Sequence, residues 1–265
     1  MNSMHSTPGS DEPAAVITRV AEGQWHAVED DRVVGRGEAS PRPDGRMFLS
    51  IDAWRGVVFD QLADTMLASL PAPLYTVVDE ADDELMSSWE RVGFKTRRRE
   101  WEYVVPTDPR TTGLEGVQPP PGVTIVPAGE AHEGRLRELD RAIRDEVEAG
   151  VGWHAMPAEI LSRPNGPTSL DLPKFVVAGQ ADRYVGLVRL GPLRRQPRIG
   201  LLAVRADLHR RGVARALLAH VLGSLYRSGT ETAWAEVNES NGAATALFEG
   251  LGARRASSNL ELVRS

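Results

Sequence analysis

Cysteine is absent from this 265-residue chain, which excludes disulfides, thiolate nucleophiles and cysteine-bound metals. The six histidines show no paired ligand spacing, so a metal site is not expected. Lysine is scarce, with Lys95 and Lys174 standing among 31 basic residues; the skew reads as composition, not function. No apolar run approaches the ~20 residues that cross a bilayer. The polar opening, residues 1–13, has neither the basic nor the apolar region of a secretory leader. A cytoplasmic protein with no membrane partner is the expectation.

What is present describes a globular chain, with 41% hydrophobic and 26% charged residues, enough for a sizeable core. Its length exceeds the ~100–150 residues typical of one domain, which predicts two. Charge supports a division. Residues 1–121 carry 12 basic and 21 acidic side chains and residues 122–265 carry 19 and 16, so the net charge of -6 splits into -9 and +3. An acidic first half argues against a nucleic-acid partner, because phosphate neutralisation dominates that affinity. A mildly basic second half suits a phosphorylated cofactor.

The boundary falls where Pro106, Pro109, Gly113, Gly116, Pro119, Pro120, Pro121 and Gly122 crowd a stretch without apolar periodicity. Proline and glycine disfavour helix and strand alike, so residues 106–121 read as a linker. Beyond it the patterns predict a strand at 123–127, a helix at 133–147 with Leu136, Leu139, Ile143 and Val147 on one face, and a second helix near 156–161. Strands follow at 174–177, 184–190 and 198–204, the first two joined by a turn at 180–183. A helix at 212–226 carries Val213, Ala216, Leu217, Val221 and Leu225 on an apolar stripe. Then come a strand at 232–237, a short helix at 241–250 closed by Gly252, and a last strand at 260–263. This order makes an α+β domain around one mixed sheet.

The most informative segment is Val204-Arg205-Ala206-Asp207-Leu208-His209-Arg210-Arg211-Gly212-Val213-Ala214-Arg215, a strand end passing through a basic turn into a helix. Such a turn can hold phosphate. The first amides of a helix have no partner, the helix dipole adds positive potential, and Gly212 with Ala214 lets an anion approach the backbone. Arg210, Arg211 and Arg215 add charge. A solvated helix start has the same local sequence, so the loop alone leaves both readings open.

His209-Arg210-Arg211-Gly212-Val213-Ala214 resembles the acetyl-CoA loop of the GNAT superfamily, Gln/Arg-x-x-Gly-x-Gly/Ala, with His209 as the departure. Residues 235–252, with Asn241, Ala244, Leu247, Phe248, Leu251 and Gly252, resemble its second signature, Asn-x-x-Ala-x-x-Leu-Tyr followed by Leu-Gly-Phe. The resemblance covers residues 122–264. It implies acetyl-CoA as co-substrate and an N-acetyltransferase that passes the acetyl group to a primary amine of a small molecule or peptide, by direct attack with no covalent enzyme intermediate. It places the pyrophosphate on His209, Arg210, Arg211, Gly212, Val213, Ala214 and Arg215, the pantetheine arm along Leu202, Ala203 and Val204, and Asn241 and Phe248 beside the cofactor. An N–H of that strand would polarise the thioester carbonyl.

Attack needs a neutral amine, whereas an alkylammonium with pKa ~10 is mostly charged at pH 7. Glu236 resembles in position a glutamate that some members use as the base; a surface strand glutamate is the plain alternative. The usual general acid is a tyrosine where this chain has Phe248, which leaves Ser240, Tyr226 or water to protonate the thiolate. Acceptor selectivity is implied for residues 145–156, where Asp145, Glu146, Glu148, Trp153 and His154 cluster. Carboxylates beside an indole suit a cationic amine, and a solvated acidic helix end fits the same residues. With Phe248 and His209 off pattern, a catalytically silent acyl-CoA sensor or scaffold is the alternative function.

The first half repeats the order, with strands at 24–28, 33–39 and 47–51, a helix at 58–70, a strand at 74–78, a helix at 84–92 and a closing strand at 101–105. Val92-Gly93-Phe94 matches Leu251-Gly252-Ala253. Residues 14–105 thus look like a truncated, degenerate GNAT-like repeat behind a disordered start at 1–13, with 122–265 as the catalytic domain. The expected fold is α+β, two GNAT-like domains, each a mixed, mostly antiparallel sheet flanked by helices. Trp54-Arg55-Gly56-Val57 offers no Gly-x-Gly/Ala loop and Val77 stands where Glu236 does, so the repeat should wall the cleft and not bind CoA.

Overall fold

The computed structural model describes residues 15–42, 44–150, 152, 156, 170–191 and 197–265. The first half contains β1 (Val16–Ala21), β2 (Gln24–Glu29), β3 (Arg32–Pro41), β4 (Met47–Ala53), α1 (Gly56–Ser69), β5 (Leu74–Asp79), α2 (Asp83–Arg91) and β6 (Lys95–Pro106). The second contains α3 (Pro109–Thr112), β7 (Val123–Val126), α4 (Glu133–Gly150), β8 (Phe175–Gln180), β9 (Arg183–Leu190), β10 (Arg198–Val204), α5 (Val213–Arg227), β11 (Thr232–Asn238), α6 (Gly242–Glu249) and β12 (Arg254–Arg264). The expected disordered start at 1–13, and the predicted helix at 156–161 apart from Met156, lie outside the described residues. No helix among the described residues is long and apolar enough to cross a membrane.

Local chemistry sets the element ends. Asp82 caps α2 by accepting from the Leu85 amide at 3.0 Å, and Asn241 caps α6 by accepting from Ala244 at 3.0 Å. Each satisfies a donor that the helix cannot. β1 escaped the sequence reading because it is an edge strand, nearly all of it exposed, so no alternation of buried residues marks it.

All twelve strands join one sheet in the order β1-β2-β3-β4-β5-β12-β6-β11-β10-β9-β8-β7. Pairing is antiparallel except at β4–β5 and β10–β11. The middle of that order corrects the expectation that 101–105 closes the first half and 260–263 the second. β12 runs beside β5, with Leu260 opposite Val78, while β6 runs beside β11, with Glu102 opposite Glu236. Each half thus sends its last strand into the other half's sheet, and the two exchanged strands pair with each other.

Alternation along the exchanged strands sorts the helices. Leu260 and Leu262 belong to the core under α1 and α2, and Tyr103 and Val105 to the core under α5 and α6. Leu260 stands opposite Arg99, four residues before Tyr103 on β6, so both cores lie on one face of the sheet. α4 covers the other face over the second half, where Leu136 and Leu139 meet Phe175, Val177 and Leu187.

The stretch read as a linker is packed. Asp108 caps α3 by accepting from the Arg110 amide at 2.9 Å, Gly113 closes it in the left-handed region at φ 63°, and Thr112 and Leu114 are buried. One capped turn and one well-placed leucine outweigh the proline and glycine around them.

Because strands cross between halves, a backbone nick at residues 115–119 should leave the two fragments co-eluting in native buffer and separating only in denaturant. Size-exclusion chromatography of the nicked chain checks this; two native peaks would contradict the exchanged pairing.

Candidate functional site

β10 and β11 form a wedge. They pair in parallel only at Arg198–Trp234 and Ile199–Ala235, after which β10 stays with β9 through Leu202–Val188, Ala203–Leu187 and Val204–Gly186. β11 follows β6 instead, ending at Asn238 opposite Glu100. Leu202, Ala203 and Val204 therefore present the backbone edge turned away from β9 to an opening that an extended arm can enter as an added strand.

The basic turn sits at the end of β10. Its 3-10 turn, Ala206–Leu208, is pinned by buried Leu208 and by the Arg205 amide donating to Val185 at 2.9 Å. Arg210 at φ 62° and Gly212 at φ 87° are both left-handed, which curls successive amides toward one side as in an anion-holding nest. Gly212 is the N-cap of the 15-residue α5 and no side chain caps that end. The amides of Val213, Ala214 and Arg215 lack intrahelical acceptors and face out along a positive dipole.

The side chains of the turn divide. Arg210 and Arg211 are exposed. Arg215 donates to the Gly113 carbonyl at 3.0 Å, and His209 folds back so that Nε2 lies 2.7 Å from the Val204 carbonyl. Both thereby serve the loop's own shape. Asp207 accepts from Arg183 at 2.8 Å, and that guanidinium holds its carboxyl below the ordinary carboxylate range.

Glu146, grouped in the sequence with acceptor-binding residues, accepts from the Ala206 amide at 2.9 Å and pairs with Arg205 Nε at 3.5 Å. It anchors the turn to α4, a role that one-face spacing on a helix could not announce. Asp145 is exposed on α4, while Trp153 and His154 lie outside the described residues.

Glu236 lies on the face opposite Ala235 and Val237, hence on the α4 side, where Arg198 Nη1 meets its Oε1. Glu102 and Glu100 share that face on β6. Burial pushes the Glu100 carboxyl up, opposed by Arg98 and reinforced by Glu236. Ser240 follows the end of β11 and donates its hydroxyl to Asn238 Oδ1 at 2.6 Å. Of the residues expected beside the cofactor, Asn241 caps α6, and Phe248 is 4% exposed and stacked on Tyr103 with ring centroids 6.2 Å apart. Among the described residues no three His, Cys, Asp or Glu side chains converge as a metal site.

The first half has the same wedge, sealed. β4 and β5 pair in parallel only at Met47–Leu74 and Phe48–Tyr75, and the Thr76 hydroxyl donates across the opening to the Leu49 carbonyl at 2.9 Å. The N-cap of α1 is Arg55, in extended conformation and not a left-handed glycine, and its guanidinium is tied to Glu29 at 2.5 Å.

Residues 170–262 match the family profile described as an acetyltransferase (GNAT) domain. A curated relative, the ribosomal protein bS18-alanine N-acetyltransferase of Escherichia coli strain K12, is 49% identical over 51 residues, 19% of this chain and 34% of that protein. The chain thus spans about a third of the length of the curated relatives it matches. The tandem GNAT protein from the clavulanic acid biosynthesis pathway matches with a TM-score of 0.64 at 13% identity, over 95% of this chain and 83% of that one. A GCN5-related N-acetyltransferase from Sphaerobacter thermophilus gives 0.60 at 18% identity, over 93% and 82%. These two likenesses carry the fold and no more.

Gly212→Ala tests the turn by itself. An added Cβ meets only Pro120 Cγ, at 3.7 Å, so the cost is left-handed strain at φ 87°, about 1–2 kcal/mol. Urea unfolding should show that loss; an unchanged midpoint would mean the turn relaxes freely.

Proposed function

From the match of residues 170–262 to an acetyltransferase (GNAT) domain profile, we propose that the protein moves an acetyl group from acetyl-CoA to a primary amine. The acceptor we favour is a small molecule or a peptide, the latter in keeping with the ribosomal protein named in the curated relative's description. The observation that carries this reading is the open β10–β11 wedge leading straight to the uncapped start of α5. One strand end thereby offers an edge for the pantetheine arm and amides for the pyrophosphate.

In this mechanism the amine nitrogen attacks the thioester carbonyl carbon while an N–H on β10 stabilises the oxyanion. Glu236 takes the ammonium proton, directly or through water. The carbon–sulfur bond then breaks and the thiolate is protonated by Ser240 or water; a thiol pKa near ~8.5 makes it a tolerable leaving group without a tyrosine. Asp145, Trp153 and His154 border the acceptor. We read residues 14–105 as a degenerate repeat that walls the cleft, 122–265 as the catalytic unit, and the protein as cytoplasmic. The buried Phe248 in place of a tyrosine favours one rival, a silent acyl-CoA-binding module.

Calorimetry on the full chain should give acetyl-CoA binding that Gly212→Asp weakens at least ~10-fold, since a carboxylate would occupy the anion's place. Free-thiol release against a panel of amines should show turnover, with Glu236→Gln lowering kcat/KM by ~10²-fold and leaving acetyl-CoA affinity nearly unchanged. Tight binding without any turnover would select the silent module. Undiminished affinity in Gly212→Asp would refute the loop assignment.

A further inference from the structure

Arg198 is shared between the two halves of the chain. Its Nη1 meets Glu236 Oε1 on β11, and its Nη2 donates to Glu102 Oε1 on β6 at 3.0 Å. The second oxygen of Glu102 accepts from Ser257 Oγ on β12 at 2.5 Å. These contacts follow from register, since Glu102 stands opposite Glu236 on one side and Ser257 on the other. Glu102 is 18% exposed, Glu236 33% and Arg198 40%. The group is thus partly exposed on the α4 side of the sheet, with its first-half member the most enclosed.

We propose that Glu102, carried into the cleft by the exchanged strand β6, is a positioning residue that keeps Glu236 competent as a base by sharing Arg198. The inference rests on the reading of Glu236 as the base. An arginine paired to one carboxylate holds it ionised and makes it a poor proton acceptor. A second carboxylate on the other arm of the guanidinium divides that charge. One cation between two anions also leaves a net single negative charge, which attracts an ammonium and can accept its proton.

Of the groups on the neighbouring elements, Glu100 acts in the same sense and Arg189 against it. On β6, Glu100 adds negative potential beside Glu236, moderated by its own partner Arg98. On β12, Ser257 contributes a neutral donor. On β9, the Arg189 guanidinium approaches Gly200 of β10, one pair further along the wedge. On α4, Glu146 is engaged with Arg205. Glu102 is thus the anion directly placed to offset Arg198.

The test uses two near-isosteric variants with opposite expected signs. Glu102→Gln leaves Arg198 wholly on Glu236, so the acid limb of the kcat/KM–pH profile should move to lower pH and the plateau should fall roughly 10-fold. KM for acetyl-CoA should stay unchanged. Arg198→Gln removes the cation, and its acid limb should move to higher pH. A residue that merely braced the sheet would lower activity without moving the limb in either direction.

Carbon-13 titration of side-chain carboxyls in the full-length chain, with Glu236→Gln used to assign the signal, reads the same balance without turnover. Opposite displacements of that signal in the two variants are expected even if no amine on the panel is acetylated, in which case the enzyme reading fails and the charge sharing stands. Curves that coincide with wild type, in variants that unfold like wild type, would overturn the proposal.

Discussion

β6 hydrogen-bonds along both edges, to β11 on one side and β12 on the other, and the rest of the molecule is arranged around that double pairing. Its register is held by its own apolar residues. Tyr103 and Val105 are fully buried in the core under α5 and α6. A slip of one residue would turn them to solvent and drive Glu102 into that core. The packing that stabilises one face of the sheet therefore dictates which charges meet on the other. Arg198, Glu236, Glu102 and Ser257 converge because Tyr103 must stay dry.

Exchange of the closing strands also joins the two halves in one sheet. Two separate sheets would expose four edges, whereas this sheet ends only at β1 and β7. Fewer edges mean fewer unpaired backbone groups offered to other chains. The centre of the sheet becomes its most tightly paired region, and it is built there from strands of both halves. Arg46, between β3 and β4, reaches Glu261 of β12 at 3.2 Å and the Met156 carbonyl at 2.9 Å.

The two wedges show how little separates an open site from a closed one. Both arise where a short parallel pairing gives out, at β4–β5 and at β10–β11. In the first, one threonine hydroxyl bridges the gap and the following helix begins without a glycine turn. Neither helix start has a side-chain cap, but in the second wedge left-handed Arg210 and Gly212 curl the amides outward. A backbone shape alone is not a binding site; its unspent donors and acceptors are.

Much of this was legible in the residues. Periodicity located α1, α2, α4, α5 and α6 within a few positions, and Arg210-Arg211-Gly212 ahead of an apolar stripe marked the turn, because glycine freedom and helical spacing are local properties. Glu236 was legible only as a strand residue whose position suggested a role. Its partners were not, since no local rule links residue 198 to 102 or 102 to 257. Asn241 and Phe248 matched a signature, yet the fold uses one as a cap and the other as core. Composition marked residues 106–121 as a linker, and Thr112 and Leu114 became core there only once α5 supplied a surface to pack against. Sequence by itself determined the elements, the basic turn and the doubling of the pattern, all set by interactions within a few residues. Tertiary structure alone decided which strand lies beside which, and so which charges share Arg198, because strand pairing is a choice among distant segments that backbone hydrogen bonding leaves open and the buried faces must settle.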